Sequence, residues 1–338
     1  MAVLGQVEIA YRMLRRVYPD RKDLQIMGTL LGGLLPMNLY MSQYVSNEPL
    51  AAFFMGVVIL LMLTLMQRLP CAPAWRTLIL LGVFLGLAAL TKVTAVLLIF
   101  PLAFVVAYTS FREDASPLRC GFNALRGLIL AMAIAIPISG WYYMRNYVML
   151  GRPFVGGWEA IRDIVWWQDP GYRTPKDFLS FGEALTHPIY AGLFSFWDGL
   201  YSTMWMDGYV SGTIELRYCP PWNYGFLFSC IWLSLLPTAA IMIGVARTLV
   251  RPAKAAQSGL LLAVACVGIL FAALVLHFMT NPSYCATKAF YTLGATCCYA
   301  VLAASGFDLL TRRAMPRAAV YGAFACWVVA AYVGYFAW

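Results

Sequence analysis

The chain has 338 residues, of which 62% are hydrophobic and only 12% charged, with 15% aromatic and a net charge of +9. So few charges cannot cover the surface of a soluble domain of this length, and the composition reads as a polytopic membrane protein, an all-α bundle of transmembrane helices. The positive balance would point to nucleic acid in a soluble protein; here loop topology accounts for it, and no nucleic-acid partner is expected.

In chain order, apolar runs predict helices over about 1–17, 24–43, 48–67, 76–91, 93–110 and 124–147. Further helices are predicted over about 224–248, 258–279, 286–306 and 317–337, so the count is nine or ten depending on the short first segment. Thr77 to Thr109 contains one charge, Lys92. At 1.5 Å per residue that run is about 50 Å long, too long for one crossing of a core about 30 Å thick. Two short helices must therefore meet near Lys92, at headgroup depth. These runs divide the chain into N-terminal transmembrane helices (1–147), an outer loop (148–223) and C-terminal transmembrane helices (224–338).

The cations fix an orientation. Sixteen of the 24 Lys and Arg residues fall in loops on one side, among them Arg15, Arg21, Lys22, Arg112, Arg126, Arg247 and Arg312. The positive-inside rule makes that side cytoplasmic. Segment 1–17 then runs from outside to inside. Met1 to Leu14 has no basic n-region and carries Glu8, so it is not a secretory signal peptide. An outer N-terminus of this kind is awkward to insert, and the expectation is that an upstream helix and its outer loop precede Met1. The alternative is a short member whose first helix inserts by translocating a small tail.

The outer loop, about 148–223, is dense in Trp, Tyr and Phe with Gly, Pro and acids between them. Such a segment suits a layer at the membrane interface, and equally a platform for stacking sugars. The nine cysteines have no CxxC pair and no metal-ligand spacing, and most lie in apolar runs. Cys219 and Cys285 both fall near the outer face, where a disulfide between them is one alternative.

Four outer-face motifs could carry chemistry. Ser46-Asn47-Glu48-Pro49 precedes a helix, so Glu48 is either an N-terminal cap or a carboxylate for a sugar hydroxyl, a metal or a proton. Thr91-Lys92 places a cation in a very short turn; it is either a snorkelling lysine or a phosphate ligand. Arg145 and Asn146 close helix 124–147 among Trp141, Tyr142, Tyr143 and Tyr147, an arrangement that serves phosphate binding or an aromatic belt. Lys288 is expected in the first turn of a helix, against the dipole, with Tyr284 and Tyr291 near it; a cation so placed points to an anionic partner. No nucleotide-binding glycine loop, HExxH or GxSxG is present, and His187 and His277 do not suggest a metal pair. No cofactor is signalled, although a divalent metal is compatible with the carboxylate.

Four strings, Leu34–Phe53, Gly86–Ala103, Trp141–Phe154 and Ser283–Tyr291, in this order and on one face, resemble polytopic GT-C glycosyltransferases. The likeness is to the branch related to protein O-mannosyltransferases and aminoarabinose transferases. The resemblance implies a polyprenyl-phosphate-sugar donor, a protein, lipid or glycan acceptor, and an active face on the outer side of the membrane, periplasmic in a bacterial inner membrane. It implies that Glu48 acts as base or orients the acceptor and that Lys92 binds the donor phosphate. Arg145 and Lys288 match as further phosphate ligands, with Asn47, Asn146, Tyr284 and Tyr291 as substrate contacts. The departure is that these enzymes carry their principal acidic residue in the first outer loop, and this sequence starts after that point. The competing readings are a flippase or transporter of lipid-linked sugar, and a non-catalytic remnant or assembly subunit; the absence of an internal repeat argues against a transporter.

Overall fold

A computed structural model describes residues 1–67, 75–113, 116–154, 173–210, 219–253, 259–281, 286–314 and 317–337. The described residues form helices with no strand. Seven helical segments are long and apolar enough to cross a membrane, and Trp75–Thr91 is a shorter apolar one, so this is a multi-pass integral membrane protein.

The first half contains α1 (Ala2–Val17), α2 (Lys22–Leu34), α3 (Pro36–Gln43), α4 (Glu48–Gln67), α5 (Trp75–Thr91), α6 (Ile99–Glu113) and α7 (Pro117–Leu150). The expected helix 24–43 is two helices. Pro36 lacks an N–H and disfavours helical backbone at the residue before it, so Leu35 turns extended and α3 restarts with Pro36 in its first turn. The expected helix 93–110 opens instead as a 3₁₀ helix, Val93–Leu98, before α6. α7 is longer than expected, 34 residues, and ends where Gly151 takes a left-handed conformation (φ 73°) and donates its N–H to the Tyr147 carbonyl.

The segment expected as an outer loop contributes two single turns, α8 (Lys176–Leu179) and α9 (Glu183–Thr186), and a buried helix, α10 (Phe196–Trp205). Ser195 caps α10, and its hydroxyl also donates to the Asp198 carboxylate at 2.7 Å. Asp198, itself buried, accepts the backbone N–H groups of Gly182 and Ala184, both at 2.9 Å, and so staples α9 to α10. The expectation of an interfacial aromatic layer is only partly met. Phe196 and Trp205 are wholly buried and Tyr201 nearly so, whereas Trp197 is exposed. These rings are core. They pack because α10 lies inside the bundle, anchored by Tyr40, whose hydroxyl donates to the Thr203 carbonyl at 2.6 Å.

The second half contains α11 (Tyr224–Leu233), α12 (Leu235–Val250), α13 (Leu260–Thr280), α14 (Thr296–Leu309) and α15 (Arg317–Phe336). α11 and α12 form one span with a break at Ser234, whose hydroxyl accepts the Trp327 indole N–H at 2.9 Å. The expected helix 286–306 again opens as a 3₁₀ helix, Ala289–Ala295, before α14.

α14 is the axis of the bundle: every residue from Thr296 to Asp308 is buried. Its sequence, TCCYAVLAASGFDL, is small and apolar on all sides, as a helix surrounded by others must be. A Cβ on Gly306 would stand 1.9 Å from the Ala240 carbonyl oxygen, and one on Gly244 2.0 Å from that of Leu302. The two glycines let α12 and α14 touch backbone to backbone.

Cations read as lying on one side do meet at one end. Asp308 accepts from Arg21 at 2.6 Å, Arg312 at 2.9 Å and Arg247 at 3.0 Å, while Arg21 also holds Asp23. The carboxylate thereby ties the α1–α2 turn to α12 and α14. At the same end Arg16 donates to the Thr64 hydroxyl and Arg112 to the Met66 carbonyl.

Candidate functional site

The opposite end holds a cavity of about 480 Å³. Its lining comes from the Asn47 turn, the Ala89–Thr94 turn, the last turns of α7 with Pro153 and Phe154, the outer part of α13, and Tyr291.

Glu48 starts α4, and its backbone N–H donates to the Ser46 hydroxyl at 3.2 Å. This local capping leaves the Glu48 carboxylate free to reach across to α5. Lys92 leaves the end of α5 in extended conformation (φ −153°, ψ 130°), its N–H still bound to the Ala88 carbonyl at 2.8 Å. That geometry turns the ammonium inward, where it donates to both oxygens of Glu48. Each side chain is only 12% exposed. Burial pulls the Lys92 pKa below its ordinary value, and the Glu48 charge and hydrogen bonds oppose that shift. The ammonium also stands 4.9 Å from the centre of the Tyr291 ring. Lys92 lines the cavity; Glu48 stands behind it.

Amides brace this pair. Asn47 donates its side-chain N–H to the Thr91 carbonyl at 2.7 Å, joining the two turns. Asn146, buried on α7, donates to the Pro153 carbonyl at 3.3 Å and holds the hook after Gly151 over the cavity. Tyr143 donates its hydroxyl to the Ala89 carbonyl, which fixes α7 to α5. Closer to the membrane the same two helices meet through Gly82 and Gly86, where an added Cβ would approach the Ala131 and Ala135 carbonyl oxygens to 2.5 and 3.0 Å.

The structure brings together Asn47, Glu48, Lys92, Asn146 and Tyr291. It leaves Arg145 apart: that residue is exposed and does not line the cavity. Lys288 is not in the first turn of an α-helix. It caps the 3₁₀ helix Ala289–Ala295 and lies over the rings of Tyr209 (5.3 Å) and Phe290 (5.6 Å), outside the lining. Tyr284 and Cys285 lie outside the described residues, and so does the Cys219–Cys285 pairing. Among the described residues no group of His, Cys, Asp and Glu could hold a metal ion.

Sequence reasoning missed three lining residues. His277 sits on α13 with its ring 5.2 Å from that of Tyr291 and its Nε2 3.4 Å from the Asn281 amide. Tyr143 was visible only as one aromatic among several. The Thr94 hydroxyl is buried without a partner at the cavity wall. A signal was present for the joint itself: Thr91-Lys92 and Thr287-Lys288 share a Thr-Lys dipeptide, and each lysine precedes a 3₁₀ helix that runs into a span.

The fold and this cavity define a membrane protein with a buried ion pair, amide and aromatic groups gathered at the end remote from its cation-rich face. Residues 8–151 match the family model described as dolichyl-phosphate-mannose-protein mannosyltransferase, a GT-C glycosyltransferase family, so the resemblance read from the sequence is borne out there. No curated protein and no solved structure matches the chain.

Proposed function

We propose that the chain is a membrane mannosyltransferase that takes its sugar from a polyprenyl-phosphate donor, with the 480 Å³ cavity as the reaction site. The observation that carries this reading is the buried Glu48–Lys92 pair at that cavity. The proposed acceptor is a protein, in keeping with the family description, and the proposed active face is the outer one by the positive-inside rule, periplasmic in a bacterial inner membrane.

In this reaction an acceptor oxygen bonds to the anomeric carbon while the bond from that carbon to the phosphate oxygen breaks. The bonding electrons leave on the lipid phosphate, and the acceptor proton goes to a carboxylate. Lys92 is placed to share its ammonium with the departing phosphate. As it does so, its hold on Glu48 weakens and the carboxylate becomes a better proton acceptor. Tyr143, Asn146 and Thr94 supply polar edges for sugar hydroxyls, and Tyr142, Phe154 and Tyr291 supply ring faces.

The test is transfer from radiolabelled polyprenyl-phosphate mannose in membranes containing wild type, Glu48→Gln or Lys92→Ala. Loss of about 100-fold or more in turnover for Glu48→Gln is expected of a removed general base. Lys92→Ala is expected to lose donor binding and rate together. Wild-type transfer by both variants would overturn the assignment, and Lys92-dependent donor binding without transfer would indicate a carrier.

A further inference from the structure

A second cavity, of about 580 Å³, lies at the opposite end of the molecule between α1 and the first half of α2. It is lined by Arg15, Lys22, Tyr11, Ile26, Thr29 and Leu30, with Pro19 and Gln25 completing the wall. Its chemistry is graded. Arg15 and Lys22 flank the turn between the helices, while Ile26 and Leu30 follow one and two turns deeper along α2. Tyr11, one turn deeper on α1, carries the Arg15 guanidinium over its ring at 5.7 Å.

The neighbouring charges do not neutralise this pair. Glu8 is bound to Arg12, and Asp23 and Asp308 are bound to Arg21. Arg16 points to Thr64, and Asp20 is exposed on the turn. Among the described residues neither Arg15 nor Lys22 forms an ion pair. Deeper in, the Thr29 hydroxyl is buried without a partner, and Ile26 remains 61% exposed.

We infer that this groove binds one anionic phospholipid of the leaflet on the cation-rich side. Its phosphate sits between Arg15 and Lys22, and an acyl chain lies along Tyr11, Ile26 and Leu30. Charge complementarity selects an anion, and the apolar half of the groove selects an amphiphile over free phosphate. The positive-inside rule places this groove at the leaflet where such lipids meet basic residues. The site is separate from the cavity that holds Lys92.

The experiment uses the full chain purified in neutral detergent. Thermal midpoints are measured with phosphatidylglycerol, phosphatidylcholine or inorganic phosphate, and retained lipid is weighed by native mass spectrometry. Phosphatidylglycerol is expected to raise the midpoint by several degrees and to stay bound one per chain, the others having no effect. Arg15→Gln with Lys22→Gln should abolish both signals, while Arg119→Gln with Arg126→Gln, exposed cations outside the groove, should keep them. Ile26→Trp, which fills the groove from an exposed position, should also abolish them and serves if the double variant does not fold. Equal stabilisation by phosphate, or equal loss in the Arg119/Arg126 variant, would overturn the proposal.

Discussion

Lys92 and Glu48 satisfy one another before any ligand arrives. Taking either partner away leaves a lone charge in a site from which water is largely excluded. Lys92→Met is therefore expected to lower stability by about 3–5 kcal/mol, whereas Glu48→Gln with Lys92→Met should recover most of that loss. Thermal unfolding in detergent measures both. The two residues stood out in the sequence because each is an isolated charge beside an apolar run. Their pairing did not, since it depends on which way an extended lysine turns at the end of α5. Arg145 and Asn146 show the limit from the other side. Adjacent helical residues point roughly 100° apart, so only one of them could face the cavity. In a helix with lipid on most sides no polar stripe revealed which; the bundle chose Asn146.

Helices were easier to read than their joints. The runs expected at 1–17, 48–67, 76–91, 258–279 and 317–337 became helices close to those ends, because length and hydropathy are summed over many residues. The break at Leu35, the 3₁₀ openings after Lys92 and Lys288, and the inward placement of α10 depend on single residues and on contacts distant in sequence. The α5–α7 contact illustrates how one residue sets an interhelical distance. Gly82→Ala would drive a methyl group against the Ala131 carbonyl, so a clear fall in thermal midpoint is expected. Gly322→Ala has open space in α15 and should be neutral or stabilising by up to about 1 kcal/mol. Because α7 carries Tyr143 and Asn146, Gly82→Ala should also weaken donor binding, which equilibrium binding of the labelled donor would report.

For the assembled bundle, charge alone predicts the orientation. Val45, fully exposed beside the Asn47 turn, and Asp20, on the α1–α2 turn, stand at opposite ends. Val45→Cys is expected to react with an impermeant maleimide in intact cells, and Asp20→Cys only after permeabilisation. The outer loop was the least readable part of the chain. Its aromatic density fits an interface, a sugar platform or a core equally well, and only the burial of Phe196 and Trp205 separates these for α10.

α7 deserves a last physical consequence. At 1.5 Å per residue its 34 residues extend about 51 Å, well beyond a hydrocarbon core of about 30 Å. Only 17% of its most apolar stretch is buried inside the protein, so lipid surrounds most of it. The uncharged stretch between Arg126 and Arg145, about 27 Å long, matches that core, so the surplus length of the rod runs into the polar layers at its two ends. The tip of that rod forms one side of the Lys92 cavity, so α7 is expected to hold that wall at the edge of the hydrocarbon, level with the lipid headgroups.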